Sequence, residues 1–328
     1  MISVAVIAPT GAASIGTAGI LDALIKADHS WKLEAGPAWE PLFDVALVAL
    51  DDRAIPCKDG VFFHPTQNVD SLALPDLVVV PALDDEDHEG SFQRNRVWVP
   101  WIRTWHDAGA RIASSCTGAF LVAAAGLLDG RRATTHWLFA DLFHSWFPDV
   151  TLATDQLIVD TGDVISSGGA TAFLTLVLYI VERYGGHERA AFAAKVLLVD
   201  GNRQSQLPFV AFRPARDHND GLIRQIQDHI DTNLASQLDA SALAERFAVS
   251  PRTLTRRFRA ATGQTYQTYV RRSRIQQAKL LLESTAEPIG NVRALVGYQD
   301  PAAFRRAFHT EGAISPREYR TRNGNNQS

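Results

Sequence analysis

One cysteine lies where a strand-like run gives way to a helix-like one. Residues 111–120 read Arg-Ile-Ala-Ser-Ser-Cys-Thr-Gly-Ala-Phe, so that Cys116 ends the strand and Gly118 follows in the turn. A nucleophile at such a turn stands exposed at the start of the helix, whose dipole favours the thiolate and whose backbone N–H groups can hold an anion. A lone cysteine is otherwise usually a small buried hydrophobic residue. The local pattern leaves both a chemical and a packing role open.

A second set of side chains suited to recognition lies in the last third of the chain. Ser250-Pro251 predicts a helix start, because a serine cap with proline at the first helical position is a common beginning. Leu254 and Phe258 would form the apolar face. The opposite face carries side chains that can enter a major groove together, where arginine matches guanine and phosphate: Arg252, Thr255, Arg256 and Arg259. A solvated amphipathic helix is the alternative.

This helix belongs to a helix-turn-helix pattern that occurs twice. The first copy is predicted as helix 240–247 with Asp239 or Ser241 as its cap, turn 248–249 and the helix from 250; the second as helix 289–296, turn 297–299, cap Asp300 and helix 301–309. In the second copy Phe304 and Phe308 face inward, and Arg305 and Arg306 lie on or beside the exposed face. A long helix over 266–283 joins the copies and carries Arg271, Arg272, Arg274 and Lys279. The doubling favours DNA binding over a solvated surface.

The elements that position Cys116 alternate between strand-like and helical patterns. The predicted strands are 3–8, 43–50, 76–80 and 111–114, and the predicted helices are 17–27, 97–108, 119–125, 170–184 and 187–198. Near-continuous Val, Ile, Leu and Ala content suits strands that are buried on both faces. A hairpin is predicted over 157–166. The pattern predicts an α/β sandwich with a mostly parallel sheet, followed by an all-α double helix-turn-helix domain.

Composition and charge divide the chain in the same region. With 328 residues, 46% hydrophobic and 21% charged, two globular domains are expected and wholesale disorder is excluded. Residues 221–328 hold 16 Lys+Arg and 9 Asp+Glu, a charge of +7, whereas the first 220 residues hold 16 and 27, a charge of -11. A basic segment attached to an acidic one is typical of a phosphate-binding module on a sensing or catalytic domain. The predicted organisation is a sensor domain over 1–200, a linker over 201–220, a DNA-binding domain over 221–322 and a disordered tail over 323–328.

Several kinds of site and location are not expected. Two cysteines, Cys57 and Cys116, cannot build a disulfide framework, and no Cys or His spacing suggests zinc, so neither a metal nor a cofactor is predicted. The first eight residues carry no Lys or Arg, unlike a signal peptide, and the longest apolar stretch, 170–181, is shorter than the ~20 residues of a membrane span. A cytoplasmic protein without membrane contact is predicted. The acidic run 84–89 is interpreted as a solvated loop, and Trp98, Trp101 and Trp105 as core or dimer packing.

Residues 222–322 resemble the DNA-binding domain of the AraC/XylS family. The resemblance rests on L-A-x-x-F-x-V-S-P-R-T-L-x-R-x-F from residue 243, V-G-Y-x-D-x-x-x-F-x-R-x-F from residue 296 and S-P-x-x-Y-R from residue 315. It implies that two recognition helices enter successive major-groove segments about 34 Å apart. The implied base readers are Arg252, Thr255 and Arg256 in the first helix and Ala302, Arg305 and Arg306 in the second, with Arg259 also on the DNA face and Arg271 on phosphate. Because Pro301, Ala302 and Ala303 stand where polar readers are frequent, readout by the second helix is expected to lean on DNA shape and thymine methyl groups.

Residues 2–200 resemble the PfpI-type branch of the class I glutamine-amidotransferase-like superfamily. The matching stretches are Cys116-Thr-Gly, Ala124-Ala-Gly-Leu-Leu-Asp-Gly, Thr134-Thr-His136-Trp137 and Asp163-Val-Ile-Ser-Ser-Gly-Gly-Ala-Thr-Ala. The resemblance implies a contact between Cys116 and His136. Two departures count against hydrolysis: the glutamate position of the enzymes falls at Gly16, and Pro81-Ala82-Leu83 replaces their usual glycine pair. Thr117 also stands where the protease-type members have histidine.

Fused in this order, the two halves resemble the GlxA-like branch of AraC regulators, in which the amidotransferase-like domain senses a small molecule. The resemblance implies no catalysis, with Cys116 and His136 as vestiges, and a ligand pocket formed by Gly16, Thr17, Cys116, Thr117, His136, Gly168 and Gly169. The implied partners are double-stranded operator DNA, a small-molecule effector, a second copy of the chain and RNA polymerase. Two alternatives stay open: a cysteine-dependent hydratase or hydrolase, and a thiol redox sensor, each with an attached DNA-binding domain.

Overall fold

The chain divides into two compact units, Met1–Gln206 and Leu207–Ser328. The computed structural model describes residues 1–83, 86–201 and 205–324. The division between the units falls inside the predicted linker 201–220, of which residues 202–204 lie outside the described residues, as do residues 325–328 of the predicted tail. Asn323, the first residue of that tail, still belongs to the last helix.

The first unit is built on a mostly parallel sheet. Its strands are β1 (Ile2–Ile7), β2 (Phe43–Ala49), β3 (Ile55–Pro56), β4 (Phe62–Phe63), β5 (Gln67–Asn68), β6 (Leu77–Val80), β7 (Arg111–Ser115), β8 (Arg132–Ala133), β9 (Thr151–Leu152), β10 (Ile158–Asp160) and β11 (Val164–Ser167). Seven of them form one sheet in the order β10-β11-β7-β6-β1-β2-β5. Every pairing in it is parallel except that of β10 with β11, which is the predicted hairpin. The predicted α/β class is therefore confirmed.

Helices cover both faces of this sheet. They are α1 (Ser14–Ser30), α2 (Lys32–Ala35), α3 (His88–Asn95), α4 (Trp98–Asp107), α5 (Ala119–Ala124), α6 (Ala140–Trp146), α7 (Ala172–Gly185) and α8 (His187–Leu197). Val4 and Val6 of β1 pack with α1 and α7, whereas Ala5 and Ile7 belong to the cluster with α4 and α5. Because each strand is covered on both sides, successive positions are apolar, which explains why no polar alternation is found in the sequence.

Some elements of this unit were not expected from the sequence. The strands of two residues, such as β3 and β4, are too short to show any periodicity. Helix α3 begins inside the acidic run interpreted as a loop: Asp87 accepts a hydrogen bond from the amide of Gly90 as its cap, and His88 is buried. Asp84 and Asp85 of that run lie outside the described residues.

The tryptophan stripe lies on α4. Trp98 is 1% and Trp105 5% exposed, and both belong to the hydrophobic core of the first unit. Trp101 is partly buried against that core, and its ring centroid lies 5.7 Å from that of Trp105. The stripe therefore packs mainly into the core.

The described residues of the second unit form seven α-helices after a short 3₁₀ helix, Leu207–Phe209. They are α9 (Gly221–Thr232), α10 (Ala240–Arg246), α11 (Pro251–Thr262), α12 (Tyr266–Ser284), α13 (Ile289–Leu295), α14 (Pro301–Gly312) and α15 (Pro316–Asn323). The predicted caps are present: the side chains of Asp239, Ser250 and Asp300 accept hydrogen bonds from the first-turn amides of α10, α11 and α14. Helix α14 runs three residues beyond its predicted end, to a left-handed Ala313.

The long helix α12 belongs to both halves of the second unit. Its first turns supply Tyr269 and Val270 to a core that includes Leu254 and Phe258. Its later turns supply Ala278 and Leu282 to a separate core around the phenylalanines of α14. One continuous helix thereby fixes the two helix-turn-helix copies on a common axis.

Arg274 of α12 reinforces this arrangement at the junction of the two copies. Its guanidinium donates to the carbonyl oxygens of Leu234 (3.0 Å) and Ser236 (2.9 Å) in the loop between α9 and α10, and it lies over the ring of Tyr298 in the turn of the second copy. Gly297, in that turn, has a φ of 85°, and a Cβ at this position would overlap with the carbonyl oxygen of Leu234. The turn of the second copy therefore touches the loop that leads into the first copy, at a spacing that only glycine permits.

We expect Gly297→Ala to lower the free energy of unfolding of the second unit by about 1–3 kcal/mol, because the substitution combines a left-handed backbone with a steric overlap. Urea unfolding of the full chain, followed by helical circular dichroism, measures the change. Gly290→Ala is the matched control, since Gly290 lies within α13 with open space around its Cα. It should raise stability by about 0.5–1 kcal/mol. Equal effects of the two substitutions would contradict the close approach at Gly297.

Candidate ligand site and nucleic-acid interface

Cys116 stands on a strained turn at the carboxyl end of β7. Its φ is 56°, in the left-handed region that non-glycine residues avoid, and a short 3₁₀ turn, Cys116–Gly118, leads from the strand into α5. Hydrogen bonds hold the strained peptide on both sides: its amide donates to the carbonyl oxygen of Gly168 at 3.1 Å, and the hydroxyl of Thr135 donates to its carbonyl oxygen at 2.8 Å. The thiol is partly exposed. The predicted elbow geometry is thus present.

The turn sits tightly on the loop that follows β6. A Cβ at Gly118 would overlap with the carbonyl oxygen of Val80, so glycine is required there. Thr117 is fully buried, and its hydroxyl accepts from the amide of Leu83 (2.9 Å) and donates to the carbonyl oxygen of the same residue (3.1 Å). The Leu83 amide is therefore occupied within the protein and cannot bind an oxyanion. Thr117 therefore anchors the turn. Its predicted contact with a ligand stays a prediction.

His136 is oriented by a backbone amide. Its Nδ1 accepts a hydrogen bond from the amide of Leu138 at 3.1 Å, so the neutral ring carries its proton on Nε2. Gly169 packs flat against the ring, since a Cβ there would overlap with the His136 side chain. In this tautomer Nε2 donates a hydrogen bond and cannot accept the proton of a thiol.

Gly16 and Thr17 lie in the first turn of α1. Both are buried, and the Thr17 hydroxyl is 3.4 Å from the carbonyl oxygen of Ala13. An added Cβ at Gly16 would meet no atom within 4 Å, so there is open space beside the backbone at this position. The first turn of α1 contains no acidic residue. The correspondence of Gly16 to the glutamate of the enzymes stays a prediction.

The structure also places polar residues at this site that sequence reasoning missed. Gln206, 3% exposed, puts its amide nitrogen within 3.2 Å of the Thr134 hydroxyl and within 3.0 Å of the Thr135 carbonyl oxygen, while its carboxamide contacts Gly168. No motif marks Gln206, because it lies in an irregular segment. Among the described residues, the buried hydroxyls of Ser114 and Ser167 have no hydrogen-bond partner. The end of the sheet beside Cys116 is therefore polar in a buried setting.

The predicted DNA face of α11 is exposed. Arg252, Thr255, Arg256 and Arg259 line a shallow groove along the helix. Among the described residues, none of its three arginines has an acidic partner within 4 Å. Arg257 of the same helix, by contrast, donates twice to Asp220. The Thr255 hydroxyl donates to the carbonyl oxygen of Pro251 (2.9 Å), so towards DNA it offers its lone pairs and methyl group. The outward arginines thus keep their hydrogen-bond donors for an anionic partner.

On α14, Arg305 and Arg306 are exposed and Ala302 is partly exposed. Arg306 approaches one carboxylate within the described part of the chain, that of Asp300 at 3.8 Å. Arg271 differs from these residues, since its Nε donates to Glu311 at 2.7 Å. The Glu311 carboxylate therefore offsets part of the charge of Arg271, and its predicted phosphate contact would use the terminal N–H groups of the guanidinium.

Among residues 1–83, 86–201 and 205–324, no cluster of three His, Cys, Asp or Glu side chains could hold a metal ion. In the same residues, no helix is both long and apolar enough to cross a bilayer.

Comparison with known proteins agrees with this two-part architecture. The DJ-1/PfpI family matches residues 3–183, and a helix-turn-helix domain family matches residues 243–322. The protein is therefore of a two-domain class in which a DJ-1/PfpI domain precedes a helix-turn-helix domain.

Several proteins similar to this chain are regulators by name. The HTH-type transcriptional regulator GlxA of Rhizobium meliloti is 30% identical over 229 residues, which cover 68% of this chain and 69% of the relative. The HTH-type transcriptional regulator GbdR of Pseudomonas aeruginosa is 27% identical over 276 residues, covering 83% and 73%. A putative transcriptional regulator from Vibrio parahaemolyticus, known from a crystal structure, is 28% identical with a TM-score of 0.51, covering 60% of this chain and 98% of that chain. The chain belongs to the DJ-1/PfpI family, in the GlxA-like branch of AraC-type transcriptional regulators.

The space at Gly16 and the close packing at Gly169 give a direct test of the site. We expect Gly16→Ala to raise the free energy of unfolding of the first unit by about 0.5–1 kcal/mol, because it removes a helical glycine without a clash. Gly169→Ala should lower it by about 1–3 kcal/mol, because His136 must move. Denaturant unfolding followed by tryptophan fluorescence measures both. A loss of stability in Gly16→Ala would show that the space beside α1 does not exist.

Proposed function

We propose that the protein is a sequence-specific, DNA-binding transcriptional regulator whose DJ-1/PfpI domain senses a small molecule at the Cys116 elbow. The observation that carries the DNA-binding part is the exposed face of α11, on which Arg252, Arg256 and Arg259 have no acidic partner within 4 Å among the described residues. Three unpaired guanidinium groups on one helix face are unfavourable for the isolated protein because like charges repel, and they are favourable against a polyanion. The second helix-turn-helix copy packs on the same helix α12, and its recognition helix α14 extends the proposed DNA-binding surface.

The two recognition helices are proposed to read DNA differently. Helix α11 offers arginine forks for guanine, with Arg252 and Arg256 as base readers. Helix α14 offers small residues at its start, so Ala302 would contact a thymine methyl group while Arg305 and Arg306 follow the backbone. We therefore expect a DNA site in which the base sequence of one half is strongly specified and that of the other half is weakly specified.

The sensing part of the proposal rests on a polar site without the groups needed for catalysis. The acid position is Gly16, the Leu83 amide is occupied by Thr117, and His136 presents a protonated Nε2. These features support binding of an effector without turnover. The strained peptide at Cys116 is held by the carbonyl of Gly168 and the hydroxyl of Thr135, and a ligand that displaced either would shift the turn to a second arrangement.

The assembly and location follow as further proposals. A second copy of the chain would place two DNA-binding units on two half-sites and so multiply the selectivity of each. A regulator of this kind acts in the cytoplasm at a promoter, where RNA polymerase is the third partner.

Titration of the purified protein onto DNA from upstream of its own coding region, at two salt concentrations and with random DNA as competitor, tests the function. We expect tight binding that resists the competitor at both concentrations, because base contacts add to phosphate contacts. Binding that vanishes with salt and shows no sequence preference would leave only a basic surface and overturn the proposal.

For the base-reading role we expect Arg256→Ala to weaken binding to a specific site by about 1–3 kcal/mol and to relax the preference at one base pair. The measurement is the Kd on a specific duplex and on each of its single-base variants. Arg224→Ala is the control, because Arg224 is equally cationic but lies on α9, outside both recognition helices. Equal losses on specific and random DNA for Arg256→Ala would contradict base reading.

The partial exposure of Cys116 on its strained turn also favours a second candidate, in which the thiol itself is the sensor. Under mild peroxide this candidate predicts a mass increase at Cys116 together with altered DNA affinity. Cys57 is the internal control, because burial raises the pKa of its thiol and keeps it unreactive. Peroxide treatment that leaves Cys116 unmodified would eliminate this candidate.

A further inference from the structure

The last residue of the first unit is bound into the wall of the Cys116 site. Gln206 is 3% exposed, and its backbone amide donates to the carbonyl oxygen of Asp155 at 3.2 Å. Its side-chain nitrogen lies within 3.0–3.2 Å of three acceptors, namely the Thr134 hydroxyl and the carbonyl oxygens of Thr135 and Gln156. A glutamine at the end of a domain is usually solvated, so this degree of burial and bonding marks a specific position.

Two short routes join Gln206 to the strained cysteine. Thr135 accepts from Gln206 through its carbonyl oxygen and donates to the Cys116 carbonyl through its hydroxyl. Gly168 accepts from the Cys116 amide, and a Cβ at Gly168 would lie 2.6 Å from the Gln206 carboxamide carbon. Any change of the Cys116 turn that moves Thr135 or Gly168 must therefore move the Gln206 side chain.

The first residues of the second unit are bound just as firmly within that unit. Lys279 of α12 is 4% exposed, and its ammonium group donates to the carbonyl oxygens of Leu207 (3.0 Å), Val210 (3.1 Å) and Glu311 (3.4 Å). Glu311 lies in the last turn of the recognition helix α14. The amide of Phe212 donates to the side chain of Gln276, also on α12, at 2.9 Å. The segment 207–212 is thus a strap fixed to the axis of the DNA-binding unit.

The chemistry of Lys279 makes this attachment sensitive to displacement. Burial lowers the pKa of Lys279 to about 8, against the opposite effect of the Glu311 and Glu283 carboxylates. At neutral pH the charged group supplies three N–H donors, and all three acceptors named above are main-chain carbonyls. Loss of the strap carbonyls would leave a buried ammonium group with fewer partners, which is costly. The strap, Lys279 and the end of α14 therefore move as one set.

Gln206 and Leu207 are consecutive residues, so these two attachments are joined by a single peptide bond. We propose that this junction carries the state of the Cys116 site to the recognition helices, with Gln206 as the positioning residue on the sensing side and Lys279 as that on the DNA side. The proposal rests on the sensing role proposed above and names its route. A flexible linker would not transmit a displacement of the Cys116 turn, whereas two rigid attachments separated by one peptide bond would transmit it.

The test uses the full chain and two glycines of the first unit, one inside the Cys116 site and one outside it. Gly168→Ala pushes on Gln206 from within the site, whereas Gly201→Ala adds the same methyl group at an ordinary contact distance of 3.8 Å from the Ala194 side chain. Hydrogen exchange of the Phe212 and Val210 amides reports on the strap, and the Kd on a duplex selected by the wild-type protein from a random pool reports on DNA binding. We expect Gly168→Ala to speed exchange of both amides about tenfold and to change the Kd at least about threefold, with Gly201→Ala within about twofold of wild type.

Double variants distinguish transmission through Gln206 from a general loss of stability. Removing the Gln206 side chain makes room for the new methyl group, so Gly168→Ala combined with Gln206→Ala should return towards the values of Gln206→Ala alone. Lys279→Met should speed strap exchange by itself and make the Kd insensitive to Gly168→Ala. If Gly168→Ala lowers the unfolding midpoint strongly, Gln206→Ala and Lys279→Met still give the coupling through their own double variant, which should be non-additive.

The results that would contradict the coupling differ from the result that would contradict the proposed function. Unchanged exchange at Phe212 and Val210 in a folded Gly168→Ala variant would overturn the link, and so would faster exchange with an unchanged Kd. Additive effects of Gln206→Ala and Lys279→Met would do the same. If the wild-type protein selects no sequence from the pool, the proposed function fails instead, and the exchange measurements still decide whether the junction transmits.

Discussion

Buried main-chain carbonyl groups need hydrogen-bond donors, and in this protein long side chains meet that need at several irregular segments. Arg274 donates to the loop between α9 and α10, Lys279 to the strap 207–212, and Gln206 to the loops around Cys116. Helices and strands satisfy their own carbonyls, so the joints between them are where outside donors become necessary. An unsatisfied carbonyl at such a joint costs as much as a lost hydrogen bond, which is a large fraction of the stability of a domain. These side-chain donors therefore hold the irregular segments in place, and those segments in turn position the helices and strands that they connect.

The same constraint governs the Cys116 turn. A left-handed φ at a non-glycine residue persists only when the surroundings impose it, and here the amide and carbonyl of the strained peptide are both bound by neighbouring loops. In an enzyme such a turn serves to present a nucleophile to a base and an oxyanion site. In this chain the amide of Leu83 is occupied and His136 is held as a donor. The elbow geometry is therefore present beside an amide and a histidine that already have hydrogen-bond partners.

Much of this could be predicted from the sequence, for reasons that are local. The strands β1, β2, β6 and β7 are continuous apolar runs. The caps at Ser250 and Asp300 predict the starts of their helices from residue type alone. Cys116 and Gly118 mark the elbow, because only a turn with a close backbone approach requires that glycine. The outward arginines of α11 follow from helical spacing and the inward Leu254 and Phe258.

The remaining features depend on contacts between residues distant in sequence. Gln206 lies in a segment without periodicity, and its role exists only because residues 134, 135, 156 and 168 surround it. Arg271 and Arg252 look alike in the sequence, and only the fold shows that the first is paired with Glu311 while the second faces outward. Lys279 reads as one more cation on a basic helix, although it is buried among carbonyl groups. The sequence pattern predicts which residues can bind DNA or an effector, whereas the donors that fix the joints emerge only from tertiary structure. In the proposed coupling these donors would pass a displacement of the Cys116 turn onward, since packed and fully bonded interiors shift between discrete arrangements and do not deform continuously.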